Sequence, residues 1–520
     1  MRLTVPVFAL FLFLPAGSGQ TPEKRIPLAD LRDKIAGGWA GQMIAVSFGA
    51  PTEFRTLAAI NEGKLPEWTP SRVSNSLNQD DLYVDMTFAK VLDDKGLDAT
   101  TEDFGNMFRD SNYRLWHANL AARRNLRRGL PPSLSGHPKY NAHADDIDFQ
   151  IEADFVGLMA PGLYQPAIDI AMRAGRVMNY GDGIYGGVFV SCMYAAAFFE
   201  TDPRRIVERG LACIPARSPY AMLISDVLLW SRQHPADWKK TWRLIEDKWD
   251  RDDPCPEGAL KRYNIDAKLN GAYVVLGLLY GNGDFGRTME ISTRSGQDSD
   301  CNPASAAGIL GVMLGYKRIP EEWKGGIEAI ADRKFSYTDF TFRTIVDSSF
   351  KQAVALAKRH GGREQDGTLS VRIHPPRPPA LETWRPGRPV ERVPTTDPRW
   401  SWQGDWSSTP IEGREARPDD RRRSSNSKAS EASVTFEGTG AIVVGPYLPD
   451  GGKVQVYLDG KKDRLMDVYS DDDRSRTGEA VWHAFGLKHG RHTIRLVVLG
   501  EPYGESKGAA VAVDSLVIFR

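Results

Sequence analysis

Asp298 and Asp300 stand two residues apart in the stretch Ser295-Gly-Gln-Asp-Ser-Asp-Cys-Asn-Pro-Ala304. Inside a helix they would point about 200° apart, since an α-helix turns about 100° per residue. In a loop just ahead of a helix they can converge. Pro303 suits a first helical position and Asn302 the cap before it. The run Ala-Ser-Ala-Ala-Gly-Ile-Leu-Gly-Val-Met-Leu-Gly, residues 304–315, then reads as a helix with small residues on its surface. Such a helix packs closely against its neighbours and buries the loop before it. Two carboxylates held over a helix start are a site for a hard cation; capping aspartates are the plainer reading. A second acidic group, Asp80 and Asp81, opens a helix in which Val84, Phe88 and Val91 recur at helical spacing. The helix dipole favours acids there, so capping alone accounts for them. Asp85 lies one turn past Asp81. Burying this set beside another acidic loop is costly without a cation. Glu53 sits in Gly49-Ala-Pro-Thr-Glu-Phe54, where Pro51 ends a preceding helix, so it lies on a loop. A bland surface glutamate is the alternative.

The elements that must position these residues are helical. Leu31, Ile35 and Trp39 mark a helix from Leu28 to Ser47, with Gly37, Gly38 and Gly41 allowing close contact. A polar, aromatic-rich helical segment runs from Asp103 to Arg128 and ends in Arg123-Arg124-Asn-Leu-Arg127-Arg128, which reads as a solvated face. In the acidic stretch from His143 to Asp154, Asp145, Asp148 and Glu152 share one helical face, either exposed or lining a cleft. The glycine-rich turn Asn179–Gly187 opens an apolar helix, Val188 to Phe199, without a preceding strand or a Gly-x-Gly-x-x-Gly pattern. A dinucleotide fingerprint is therefore unsupported. Asp182 and Gly183, at that turn, and Asp145 are candidate substrate contacts. Helices continue through Ile206–Cys213, Tyr220–Trp230, Thr241–Trp249, Leu269–Tyr280, Ile327–Ile330 and Thr344–His360. An all-α domain is expected over residues 20–372.

The composition shifts at Ile373-His-Pro-Pro-Arg-Pro-Pro-Ala380, which starts a stiff linker over residues 373–395. Arg417-Pro-Asp-Asp-Arg-Arg-Arg423 reads as a polar loop. From Ala432 the hydrophobic period becomes two, in runs separated by Gly, Asp and Pro turns. An all-β, jelly-roll-like sandwich is expected over residues 396–520. Trp402, Trp406, Tyr447 and Trp482 could stack on sugar rings or complete the sandwich core. The chain is thus expected to be multidomain, 520 residues long. Its 67 basic and 67 acidic residues argue against nucleic acid or an anionic membrane as a partner. Residues 1–19 carry one arginine, an apolar core from Val5 to Leu14 and small residues before Gln20. That is an export signal too short to span a bilayer, so a secreted or periplasmic protein with no membrane span is expected. Cys192, Cys213, Cys255 and Cys301 form no zinc pattern and no disulfide framework.

Four motifs arrive in one order: Gly37-x-x-x-Gly41-Gln42, Gly49-Ala-Pro-Thr-Glu53, Gln79-Asp80-Asp81 and Gly296-Gln-Asp-Ser-Asp-Cys-Asn302. Over residues 28–345 the chain resembles the ADP-ribosylglycohydrolase family. The resemblance implies a compact all-α bundle holding two divalent cations, usually Mg2+ or Mn2+, and hydrolysis at the anomeric carbon of ADP-ribose. By position Asp80 and Asp81 match the first pair of metal ligands, Asp298 and Asp300 the second, and Glu53 a glutamate that holds metal or activates water. Gln79 replaces a hydroxyl residue before the first pair, and Cys301 replaces a threonine after the second. A Gln carbonyl can still ligate, but a thiol is a poor partner for magnesium. One or two ions are therefore expected, Ca2+ being the other hard cation that oxygen donors suit. The expected function is a secreted, metal-dependent glycoside hydrolase in which Glu53, Asp81 and Asp298 act on a carbohydrate. The alternatives are release of ADP-ribose from a conjugate, and a non-catalytic glycan-binding protein.

Overall fold

The computed structural model describes residues 23–250, 253–411 and 420–520. The proposed export signal lies outside these, as do residues 417–419 of the arginine-rich loop. The first helix, Leu28–Gly49, crosses the helix Cys301–Leu314 backbone to backbone. A Cβ on Gly41 would lie 2.2 Å from the Ala307 carbonyl oxygen, and one on Gly311 would lie 2.0 Å from that of Gly37. No larger residue fits either crossing point. The first helix from Gly37 on, and the second along nearly its whole length, are buried all round, as expected for helices apolar on every face at the centre of a domain. The helices Asp182–Ala197 and Ala267–Gly281 complete the buried set. Among the described residues no helix is long and apolar enough to cross a membrane.

The helical domain is closed by a small sheet that the sequence pattern does not announce. Glu23–Pro27 pairs antiparallel with Thr368–Arg372, which in turn pairs with Arg363–Gln365. The polar, aromatic-rich segment Asp103–Arg128, read as one helical stretch, is not continuous: helices Thr101–Arg109 and His117–Arg127 are separated by a loop. Ile327–Ile330 forms turns after a short helix, Glu321–Lys324.

The sandwich places a five-stranded antiparallel sheet, ordered Lys461–Asp467, Gly452–Leu458, Gly490–Pro502, Glu431–Gly438 and Trp400–Gln403, against a four-stranded one. The second is ordered Arg476–Ala484, Gly440–Tyr447, Ser515–Phe519 and Pro389–Pro394. That last strand lies within the span read as linker. Its prolines stand at its two ends on an edge, where their missing N–H groups cost no ladder bond. Arg421–Ser425, read as loop, is a strand paired with Ser407–Pro410 and with Val511–Val513. Trp482 is fully buried and Tyr447 is 8% exposed, so these two complete the core. Trp402 stacks on Trp400 at 5.0 Å and meets Trp406 at 4.9 Å, both partly buried against the same core.

The two domains are joined through a shared core. Ala142 and Ala259 of the helical part cluster with Ile442, Val444, Ala480, Val517 and Phe519 of the sandwich. The arginine run, read as a solvated face, docks the sandwich instead. Arg128 makes a forked bond to Asp467 (2.8 and 2.7 Å) and reaches Asp471 at 2.6 Å. Arg124 donates to Asp467 at 3.2 Å and lies 3.6 Å from the Tyr447 ring centroid. Burial alone would raise the Asp467 carboxyl, but the two guanidinium groups hold it below its ordinary value. The linker is pinned as well: Arg176 pairs with Glu382, and Tyr185 donates to the Ala380 carbonyl at 3.0 Å.

Replacing Asp467 by Ala removes the forked bond and leaves Asp471 as the carboxylate facing both guanidinium groups, a loss of about 1.5–3 kcal/mol. In denaturant the Asp467→Ala protein is expected to show two separated unfolding transitions at a midpoint below that of the wild type.

Candidate metal centre and its cleft

Three loops make the floor of a cleft of about 1840 Å3 that runs between the helical domain and the sandwich. The first helix delivers Gly49, where a Cβ would sit 2.2 Å from the Ser299 carbonyl oxygen and 2.4 Å from Asp300 Cα. The Glu53 loop therefore lies directly on the 298–300 loop. Two backbone bonds lock them, Phe54 N to Gln297 O at 3.1 Å and Gln297 N to Thr56 O at 3.0 Å. Thr52 and Ser299 share a hydroxyl bond of 2.8 Å. The helix after this loop starts at Cys301, two residues earlier than the Pro303 signal suggests, and Asp300 takes the cap position without a side-chain capping bond. Proline in the first turn loses nothing, because its N–H would have no intrahelical partner. Asp80 and Asp81 open the helix Asp80–Lys95, whose preceding residue, Gln79, likewise makes no side-chain cap. Capping therefore does not occupy Asp300.

The structure brings Glu53, Asp80, Asp81, Asp298 and Asp300 together. Ligand atoms of Asp298, Asp300 and Cys301 lie within 4.8 Å of one another. Burial, then Asp300 and Asp80, pushes the Glu53 carboxyl up to about 8. Glu53 is exposed at the cleft mouth, yet it stands below the general surface of the protein, where water screens it poorly. Burial, Glu53 and Asp81 raise Asp298 to about 8, and burial, Asp80 and Asp300 raise Asp81 well above the ordinary carboxylate range. Both carboxylate oxygens of Asp81 and Oδ1 of Asp298 are buried without a hydrogen-bond partner. Buried carboxyl oxygens left without a partner are what a hard divalent cation satisfies, so this donor set fits one. The Cys301 thiol is pushed up by burial and the surrounding carboxylates, and it points to Asp300 at 3.9 Å. It stays an S–H, a neutral neighbour and no ligand for a hard ion. The Gln79 amide donates to Asn75 at 2.7 Å, so its side chain is engaged with the preceding loop. A second layer lies behind Asp81. Asp85 accepts from Phe155 N at 3.1 Å, and Asp154 accepts from the Tyr194 hydroxyl at 2.7 Å.

Asp182, Gly183 and Asp145 are not among the cleft-lining residues. Asp182 accepts from Tyr220 N at 3.1 Å, and Gly183 is packed on Asn179 and the Ala144 carbonyl. Asp145 and Asp182 are raised by burial and gather with Asp266 around the buried Lys268 ammonium. The acidic stretch splits the same way: Asp148 lines the cleft, while Glu152 accepts from Asn119 just beneath it. Residues that the sequence reading missed complete the walls. His117, Tyr263 and Glu257 come from the helical domain, and Arg392, Arg422 and Thr477 from the sandwich. The irregular segment 253–266, which carries Glu257 and Tyr263, is the one signal that could have pointed there.

A family model described as ADP-ribosylglycohydrolase matches residues 27–363. A search of curated proteins finds no match. Among solved structures, an ADP-ribosylglycohydrolase-related protein complex aligns at 17% identity over 62% of this chain and 98% of that one, with a TM-score of 0.39. The CBM36-1 domain of a multidomain xylanase from the hindgut metagenome of Trinervitermes trinervoides aligns at 13% identity over 24% of this chain and 94% of that one, TM-score 0.17. A family 35 carbohydrate binding module from an environmental isolate aligns at 15% over 24% and 90%, TM-score 0.18.

With no cation present, folding holds protons on these acids that the unfolded chain has released. For Asp298, whose folded value is about 8 against 3.8, the folded state binds more protons between those limits. Metal-free stability is thus expected to fall as pH rises through that window, and Asp298→Asn to flatten the fall. Adding Mg2+ or Mn2+ at 100 times its dissociation constant should stabilise the wild type by about 2.7 kcal/mol, read as a thermal shift. In Asp81→Asn that shift is expected to vanish.

Proposed function

The chain belongs to the ADP-ribosylglycohydrolase family, and we propose that it is a secreted, divalent-metal-dependent hydrolase that cleaves a bond at the anomeric carbon of a carbohydrate. The observation that carries this reading is the convergence of five carboxylates at one cleft, which Glu53, Asp80 and Asp298 line and where Asp81 and Asp298 keep buried unpartnered oxygens. Asp80, Asp81, Asp298 and Asp300 would hold one or two ions, Mg2+ or Mn2+. Such ions, when bound, supply Lewis acidity toward sugar hydroxyls and water. Glu53, at the cleft mouth, would orient a water and, once a cation offsets Asp80 and Asp300, take its proton as the water attacks the anomeric carbon. The phenyl and phenol rings of Phe54 and Tyr263, 4.9 Å apart between centroids, offer an apolar surface beside that point.

The sandwich bears on the substrate class. Arg392, Arg422, Thr477, Gly478 and Ser515 line the cleft from its far side, so the site is completed by both domains. A cleft of about 1840 Å3 is larger than the range of about 300–1,000 Å3 usual for small ligands, and it supports a glycan of more than one residue. Release of ADP-ribose from a protein or small conjugate is the second reading, favoured by the family match over residues 27–363.

Purified full-length protein, stripped by chelation and reloaded with Mg2+ or Mn2+, is to be assayed on an oligosaccharide panel and on ADP-ribosylated protein. Metal-dependent release of reducing sugar from glycans is expected. Asp81→Asn and Glu53→Gln should each lower kcat about 10²–10⁴-fold. Release of ADP-ribose alone would select the second reading, and no metal-dependent turnover of either substrate would defeat both.

A further inference from the structure

We propose that Tyr263, His117 and Glu257 form the acid limb of this site, in which Tyr263 protonates the departing oxygen and His117 supplies the proton. This rests on the hydrolase reading above. All three residues line the same cleft as Glu53, Asp80 and Asp298. The Tyr263 hydroxyl lies 2.9 Å from His117 Nε2, and Glu257 Oε2 lies 3.0 Å from His117 Nδ1. An imidazolium in this place pairs by charge with the Glu257 carboxylate on one side and donates to the phenol oxygen on the other. The phenol O–H is then free to point into the cleft.

Several features hold this arrangement in place. His117 has φ of +43°, a left-handed conformation that a non-glycine residue adopts only where its surroundings hold it there. It stands at the start of the helix His117–Arg127, where Asp148 accepts from Ala118 N at 3.2 Å and Asn119 N at 2.9 Å, fixing that turn. Gln297, beside the metal-site aspartates, accepts from Asn264 N at 3.0 Å and donates to the Arg262 carbonyl at 2.8 Å, bracing Tyr263 on both sides. The acid limb and the metal floor are thus built from one set of loops. Burial disfavours a charged ring, but Glu257, Asp148 and, from the sandwich, Glu479 outweigh it and raise His117 to about 9. Asp146 Oδ2 lies 4.0 Å from Nδ1, and the neutral His143 ring is 5.8 Å away between centroids. The Tyr263 phenol, raised far above 10 by burial and by Glu257, stays protonated until a partner takes its proton.

The step balances. The bond from the anomeric carbon to the leaving oxygen breaks as that oxygen takes the Tyr263 proton. His117 Nε2 returns a proton to the phenolate oxygen and is left neutral. Water forms the new bond to carbon, and its proton goes to Glu53. Tyr263 is the catalytic residue here; His117 is its proton source and Glu257 positions the imidazolium.

The test compares paired glycosides of a panel of common sugars, each with an aryl group that leaves unaided as an anion and an alkyl group that needs protonation. In Tyr263→Phe and His117→Asn, the latter chosen because Asn tolerates the left-handed turn, kcat on the alkyl glycoside should fall about 10²–10⁴-fold. On the aryl glycoside it should change less than about tenfold, with KM nearly constant on both. An equal loss on both substrates, or no loss, overturns the proposal. A second measurement needs no turnover. Histidine 15N spectra of the wild type at pH 7.5 should show His117 with both ring nitrogens protonated, and Glu257→Gln should return it toward neutral. A neutral His117 in the wild type overturns the acid limb. Should no wild-type glycoside be cleaved while the imidazolium is seen, the hydrolase reading fails and the charged triad stands as observed.

Discussion

Like charges brought below the surface repel, and each carboxylate that loses water without gaining a partner loses several kcal/mol. Glu53, Asp80, Asp81, Asp298 and Asp300 violate that economy together, from three stretches of chain separated by up to some 250 residues. What forces them is the crossing of helices Leu28–Gly49 and Cys301–Leu314, where glycine and alanine let two backbones touch. The ends of those helices, and the loops they carry, have nowhere else to go. In this way an apolar contact between small residues holds a polar cluster that would otherwise spring apart. A cation is the natural relief. Cys301, in the midst of the acids, stays a neutral thiol.

The sandwich is a wall of this site as well as a neighbour of it. Its docking uses charge and apolar contact in the same place: Asp467 between Arg124 and Arg128, with Ile442, Val444 and Phe519 beside them. The arginines are held in forked and stacked geometry, which a guanidinium satisfies and an ammonium does not. Thr477 and Arg422 reach the cleft from sandwich strands, so both domains line it. Glu479, in the same sandwich strand as Thr477, bears on the charge of His117.

Much of this was legible in the sequence. The Asp80-Asp81 and Asp298-x-Asp300 groups were readable because each stands at the start of a recognisable helix, one periodic and one rich in small residues, and carries the residue type that a hard cation takes. The switch from period 3.6 to period two marked the second domain. Other features depended on tertiary contact and left no local trace. Arg124 and Arg128 look like any solvated helix end until the sandwich covers them. Asp182 has the appearance of a ligand-binding turn, yet it faces Lys268 across a buried gap, and charge pairing of that kind has no sequence spacing. Strand Pro389–Pro394 hides in a proline-rich run because edge strands tolerate the residue that signals a linker. His117 and Tyr263 meet across 146 residues, outside any motif.

The central claim, that these acids gather to hold a hard ion, is open to a direct look. Crystals grown with Mn2+ and measured at a wavelength where manganese scatters anomalously should show one or two strong peaks bounded by Asp80, Asp81, Asp298 and Asp300. Peaks elsewhere, or none in that cleft at saturating Mn2+, would contradict the account.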